Sequence, residues 1–246
     1  MRTNVGVLCT PGRWGTSMKP RRAVKAASVA LAALAGAQML GACASTQLAA
    51  AAVTSRNRIT ISNLTAQVAN LNTAYTADKK KKIQPQRPVG QETQQVLSWL
   101  LLFQVYDQMA SQHNISVSHS ELQAAQTQYQ SQAEQSHVSL VQYWSAGGAL
   151  PPSLLPELYR AGAIETALAT KLNGGTRPTS TAEQQAVQLK LTRQQCLAAK
   201  SLNINVNPQY GVYNYNGFSV VMAPSTLAAD PTPSPAPSAL RRTPPC

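Results

Sequence analysis

Thiols, imidazoles and carboxylates are the groups through which this chain can do chemistry, and they are few. Its 246 residues hold four cysteines, three histidines and nine acids. The histidines, His113, His119 and His137, fall near expected helix ends and show no paired spacing of the kind that holds a metal. No CxxC, HExxH, GxSxG, Walker loop or GxGxxG occurs. The acids stand singly, and Glu157 and Glu165 lie two helical turns apart, too far to work as a reacting pair. No catalytic residue, metal or cofactor is therefore expected. Among the thiols, Cys43 stands out because it closes an uncharged apolar run, Ala26 to Leu40, through Leu40-Gly41-Ala42.

The charges explain the run. Lys+Arg 21 against Asp+Glu 9 gives a formal charge of +12, which at first suggests a nucleic-acid partner. Six of the bases, however, precede residue 43, where no acid occurs, and Lys19, Arg21, Arg22 and Lys25 lead directly into the apolar run. That run of about 15 residues matches a signal-peptide core and is short of the roughly 20 that span a bilayer. Its ending resembles the lipobox of bacterial lipoproteins, with Gly41 where Ala or Ser is usual. The resemblance implies export, cleavage before Cys43, and anchoring by lipid (palmitate among its chains) to the outer face of the cytoplasmic membrane. Residues 1–43 are read as the signal. Met18 directly precedes the basic patch, so 1–17 reads as lying upstream of it, and Met1 and Met18 both stand as starts. Arg21-Arg22 is one residue short of twin-arginine spacing to Lys25, which favours the general secretory route.

Export bears on the remaining thiols. In an oxidising compartment Cys196 and Cys246 can form a disulfide; a buried free thiol at Cys196 is the alternative. The Lys79–Lys82 run lacks interleaved aromatics, so nucleic acid is not expected as a partner. Near a membrane such lysines can touch anionic headgroups, but a solvated loop between two helices is the better account of them.

These groups must be held by elements, and the elements read as helices. Residues 44–57 look like an Ala/Ser/Thr tether, and Arg58-Ile59-Thr60-Ile61 alternates as a strand does. Leu64, Val68, Leu71 and Tyr75 recur on one helical face until the lysines and Pro85 break it. From Gln91 to Gln112–Asn114 a second helix carries an unusually wide apolar stripe of Val96, Leu97, Leu100, Leu101, Phe103, Tyr106 and Met109. Capping boxes at Ser118–Glu121, Ser139–Gln142 and Ser180–Glu183 open three more helices. Pro152 fits the first turn of another, which Gly174-Gly175 ends. Asn203–Asn207 alternates like a strand, and Ile59–Ile61 is its obvious partner. Seven of the last 23 residues are proline, so 216–246 reads as a disordered tail. The expected fold is mainly α: five or six helices over 58–215 and one small pairing of the two ends.

In order and spacing these features resemble the N-terminal domain of SurA-like periplasmic chaperones, in the form carried by actinobacterial lipoproteins. The resemblance runs over about 51–215. It is carried by Arg58-Ile59-Thr60-Ile61-Ser62-Asn63-Leu64, by Asn114-Ile115-Ser116-Val117-Ser118-His119-Ser120-Glu121-Leu122, and by Ile204-Asn205-Val206-Asn207-Pro208-Gln209-Tyr210-Gly211. Ser55-Arg56-Asn57 replaces the family's glycine turn, and Gln209 its arginine. Relatives with prolyl isomerase activity carry a separate parvulin domain; only Asn173–Ser180 stands at that place here, so that activity is not implied.

The resemblance implies a module that holds unfolded exported polypeptides on apolar surface. Trp99, Phe103, Tyr106, Tyr129, Trp144 and Tyr159 are its candidate contacts, although aromatics at helical spacing are usually core. The competing reading is a structural or assembly lipoprotein of the cell envelope with one dedicated protein partner.

Overall fold

The computed structural model describes residues 49–80, 90–223 and 246, all within the unit Cys43–Cys246. Within these residues the fold is mainly helical, and none of its helices is long and apolar enough to cross a membrane. Two short strands, β1 (Ala50–Val53) and β2 (Arg58–Thr60), precede helix α1 (Ile61–Lys80). Helices α2 (Glu92–Gln112), α3 (His119–Gln135), α4 (Leu140–Gly148), α5 (Leu155–Leu172) and α6 (Thr181–Ser201) follow. A 3₁₀ turn, Pro152–Leu154, leads into α5. Strands β3 (Asn205–Val206), β4 (Val212–Asn214) and β5 (Ser219–Val221) close the chain.

The caps set the helix starts. Ser118, Ser139 and Ser180 each accept the N–H three residues on, while Glu121, Gln142 and Glu183 reach back to the capping residue's own N–H. These reciprocal bonds satisfy donors that a helix leaves unpaired, each typically contributing about 1 kcal/mol. Glu121 and Glu183 receive them as carboxylates, and hydrogen bonding lowers the pKa of both. At the other end, α5 gives way to Gly174 and Gly175, both at positive φ.

Strand pairing departs from expectation. Ile59 and Val206 do lie in one sheet, but not side by side: its order is β2-β1-β3, with β1 antiparallel to both neighbours. The intervening strand comes from the stretch taken for a tether, and Ala50, Ala51 and Ala52 are among the most buried residues of the domain. The turn from β1 to β2 manages without glycine. Thr54 Oγ1 donates to the Asn57 carbonyl at 3.0 Å and accepts the Asn57 N–H at 3.0 Å, while Asn57 Oδ1 accepts from the Arg58 N–H. A second sheet, the β4–β5 hairpin, runs past residue 215, so the ordered domain reaches beyond the boundary read from sequence. Helix α1 likewise continues through Lys80 rather than stopping before the lysine run.

The wide stripe of α2 finds its cause here. This helix contacts α1, α5, α6 and β5, so it is central rather than one-sided. Val96, Leu97 and Leu101, all 0% exposed, pack with Leu64, Leu71, Ile59, Val206 and Val220. Phe103, Val105, Tyr106 and Met109 pack with Leu158, Ile164, Leu168 and Leu191. A fully buried Leu or Phe contributes about 1.5–3 kcal/mol. The polar look of α6 does not leave this stripe open: Val187, Leu191, Ala198 and Ala199 turn inward and are covered.

Candidate polypeptide-binding site

Each candidate aromatic comes from a helix whose position the caps and core fix: Trp99, Phe103 and Tyr106 from α2, Tyr129 from α3, Trp144 from α4 and Tyr159 from α5. Five of the six join into one chain of rings. Phe103 stacks on Trp99 (5.8 Å), Trp99 meets Trp144 edge-on (6.0 Å), Trp144 meets Tyr129 edge-on (5.4 Å), and Tyr129 stacks on Tyr159 (6.3 Å). Such pairs add about 0.5–1.5 kcal/mol beyond area burial. Tyr143, not singled out from sequence, meets Trp144 at 5.5 Å. The Trp99 indole N–H donates to the Gly148 carbonyl at 2.9 Å, tying α2 to the end of α4.

Burial sorts the six by role. Phe103 and Tyr106 are each 8% exposed and belong to the core. Trp99, Tyr129, Trp144 and Tyr159 are partly buried and pack on the core from its flank. Tyr106 is fixed further: its hydroxyl donates to Glu165 Oε2 at 2.9 Å and accepts from Gln195 Nε2 at 2.9 Å. Burial first, and the Glu165 carboxylate second, raise the Tyr106 pKa far above the usual phenol value. The same two causes push Tyr129 up to about 12. Both phenols are thus held neutral beside a carboxylate, and Tyr106 donates to it.

Tyr129 and Glu165 open onto a cleft of about 420 Å³ between α3, α5 and α6. Gly162 gives the Tyr129 ring its place in the wall: a Cβ there would stand 2.5 Å from the Tyr129 hydroxyl oxygen and 3.0 Å from its ring. The glycine lets the ring lie across α5, where alanine would otherwise favour the helix by about 1 kcal/mol. Gln184 and Gln188 of α6 and Arg177 of the α5–α6 loop form the opposite side. Along α3 and α5 the cleft shares Ala125, Gln128, Thr166, Thr170 and Arg177 with a second hollow of about 700 Å³ that reaches Glu121. The result is a long shallow groove with a small-residue floor and amide, hydroxyl and charged rims. Glycine inside a helix was the one sequence signal for it; Arg177, Glu165 and the glutamines gave none.

Other expected chemistry is placed as follows. Cys196 of α6 and Cys246 are joined as a disulfide, with Cα atoms 5.4 Å apart. The Cys246 N–H also donates to Asn216 Oδ1 at 3.1 Å, and its carbonyl accepts from Lys200. His113 pairs through Nε2 with Gln194 Oε1 at 3.0 Å, and no three His, Cys, Asp or Glu cluster as a metal site among the described residues. Cys43 lies outside the described residues, as do Lys81 and Lys82. No protein-family model, curated protein or solved structure matches the chain.

Proposed function

We propose that this chain is an exported lipoprotein, held by an acylated Cys43 at the outer face of the cytoplasmic membrane, whose helical domain binds incompletely folded polypeptides. The groove between α3, α5 and α6 carries the reading. It is open and elongated, floored by alanine, glycine and threonine, and rimmed by side-chain amides that can pair with an extended main chain. Export is supported by the basic, apolar and Cys43-ending run, and by the Cys196–Cys246 disulfide, a bond that persists in oxidising compartments. The order of motifs shared with SurA-like chaperones supports the same reading.

The decisive measurement is light scattering during dilution of a chemically denatured test protein. The purified chain without its signal should delay aggregation of several unrelated clients in proportion to its amount. No effect at any ratio would remove the holding activity and leave the dedicated-partner reading. That second reading has an observation of its own: Leu189 and Leu197 on the outer side of α6 are 64% and 48% exposed. Cells fed a fatty-acid probe should label the wild type and fail to label Cys43→Ser. Equal labelling would sink the anchor. Loss of the acyl chains should release the protein, because the Lys79–Lys82 run alone adds only about 1 kcal/mol per charge.

A further inference from the structure

We propose that the groove selects client segments carrying a lysine or arginine, whose cationic head pairs with Glu165. The inference rests on the polypeptide-binding reading and gives it a chemical preference. Glu165 is the partly buried carboxylate of the cleft wall. Its Oε2 accepts from Tyr106, while no hydrogen bond or ion pair reaches its Oε1 among the described residues. A carboxylate has room for further donors on both oxygens, and a cation is the donor that strengthens the bond most. Tyr129 lines the same wall. Both neighbouring phenols are held protonated by burial, so neither adds a second negative charge beside Glu165. The small-residue floor, Ala125 and Ala169 among it, admits the aliphatic stem of a lysine or arginine. Arg177 at the rim makes no ion pair with Glu165 and disfavours a second cation nearby, so an isolated basic residue suits the groove better than a basic run.

Fluorescence anisotropy with three dye-labelled, unstructured peptides tests this. They differ only in a central lysine, glutamine or glutamate, and are titrated with the full chain. The lysine peptide should bind about tenfold more tightly than the glutamine one, with the glutamate peptide weakest. Glu165→Gln keeps an acceptor for Tyr106 and should abolish the preference while leaving the melting temperature nearly unchanged. Should that variant fail to fold, the wild type still decides: the lysine preference must shrink on passing from low to high salt. Equal binding of the three peptides, or a preference indifferent to salt or to Glu165→Gln, overturns the inference. If aggregation is nevertheless suppressed, the holding function stands and only the charge preference falls. If no peptide binds and no client is held, both fall.

Discussion

Alanine at Gly211 should destabilise the domain by about 2–4 kcal/mol, lowering its melting temperature by about 5–15 °C. Two independent costs act there. Gly211 has φ +121, a conformation closed to side chains with a Cβ. A Cβ added to it would also stand 2.1 Å from the Val221 carbonyl oxygen, and backbone cannot swing aside as a flexible side chain does. Strand β5 would have to move, and it is not a free edge: the Val220 N–H donates to Ser98 Oγ of α2 at 2.8 Å, and Val220 packs with Leu97 and Leu101. Gly217→Ala is the control. Its φ is not left-handed and its closest neighbour is the Ser219 hydroxyl at 3.2 Å, so calorimetry should show a loss under about 1 kcal/mol. A loss at Gly211 as small as the control's would mean that the hairpin contributes nothing to the cooperative unit.

The hairpin also shows what a sequence hides and why. Its turn signal was present, Asn214-Tyr215-Asn216-Gly217 between Val212-Tyr213 and Ser219-Val220. The proline-rich stretch after residue 223 drew its second strand, β5, into the tail. Strand β1 had no such signal. Ala50-Ala51-Ala52-Val53 carries one β-branched residue, and alanine is poor in strands unless neighbours close over it. Close approach is what the site demands, because β1 lies between two strands and its alanines are nearly solvent-free. Helix starts were legible for the opposite reason: a capping box is a local bargain among four residues, complete without tertiary help.

The groove was hardest to foresee. Periodicity gives each helix its apolar face but not which faces meet, and the site is made where α3, α5 and α6 converge. Tyr129 was nameable as an aromatic; its neighbours Glu165 and Gly162 acquire meaning only once α5 lies beside it. The wide stripe of α2 misled in an instructive way. Apolar residues round most of a helix mark either a surface awaiting a client or a helix surrounded by its own domain. Periodicity cannot separate the two, and burial does: α2 is surrounded.

That distinction sets the last expected result, a pair of variants whose effects should be opposite. Phe103→Ser removes a ring that is 8% exposed, stacks on Trp99 and lies in the larger apolar cluster. It should cost about 3–5 kcal/mol, as aromatic truncations in cores do, and the holding activity of whatever remains folded should be intact. Thr166 is exposed, lines both hollows of the groove, and spends its hydroxyl on the Gly162 carbonyl of its own helix at 2.9 Å. Thr166→Trp adds bulk where there is open space, so the melting temperature should stay within about 2 °C, corresponding to under about 1 kcal/mol. The indole would occupy the groove, and aggregation of the test protein should proceed as though nothing had been added. Thermal unfolding and light scattering on the same two preparations read both effects. A Thr166→Trp protein that still holds clients would place the binding surface elsewhere, with the exposed leucines of α6 the next surface to alter.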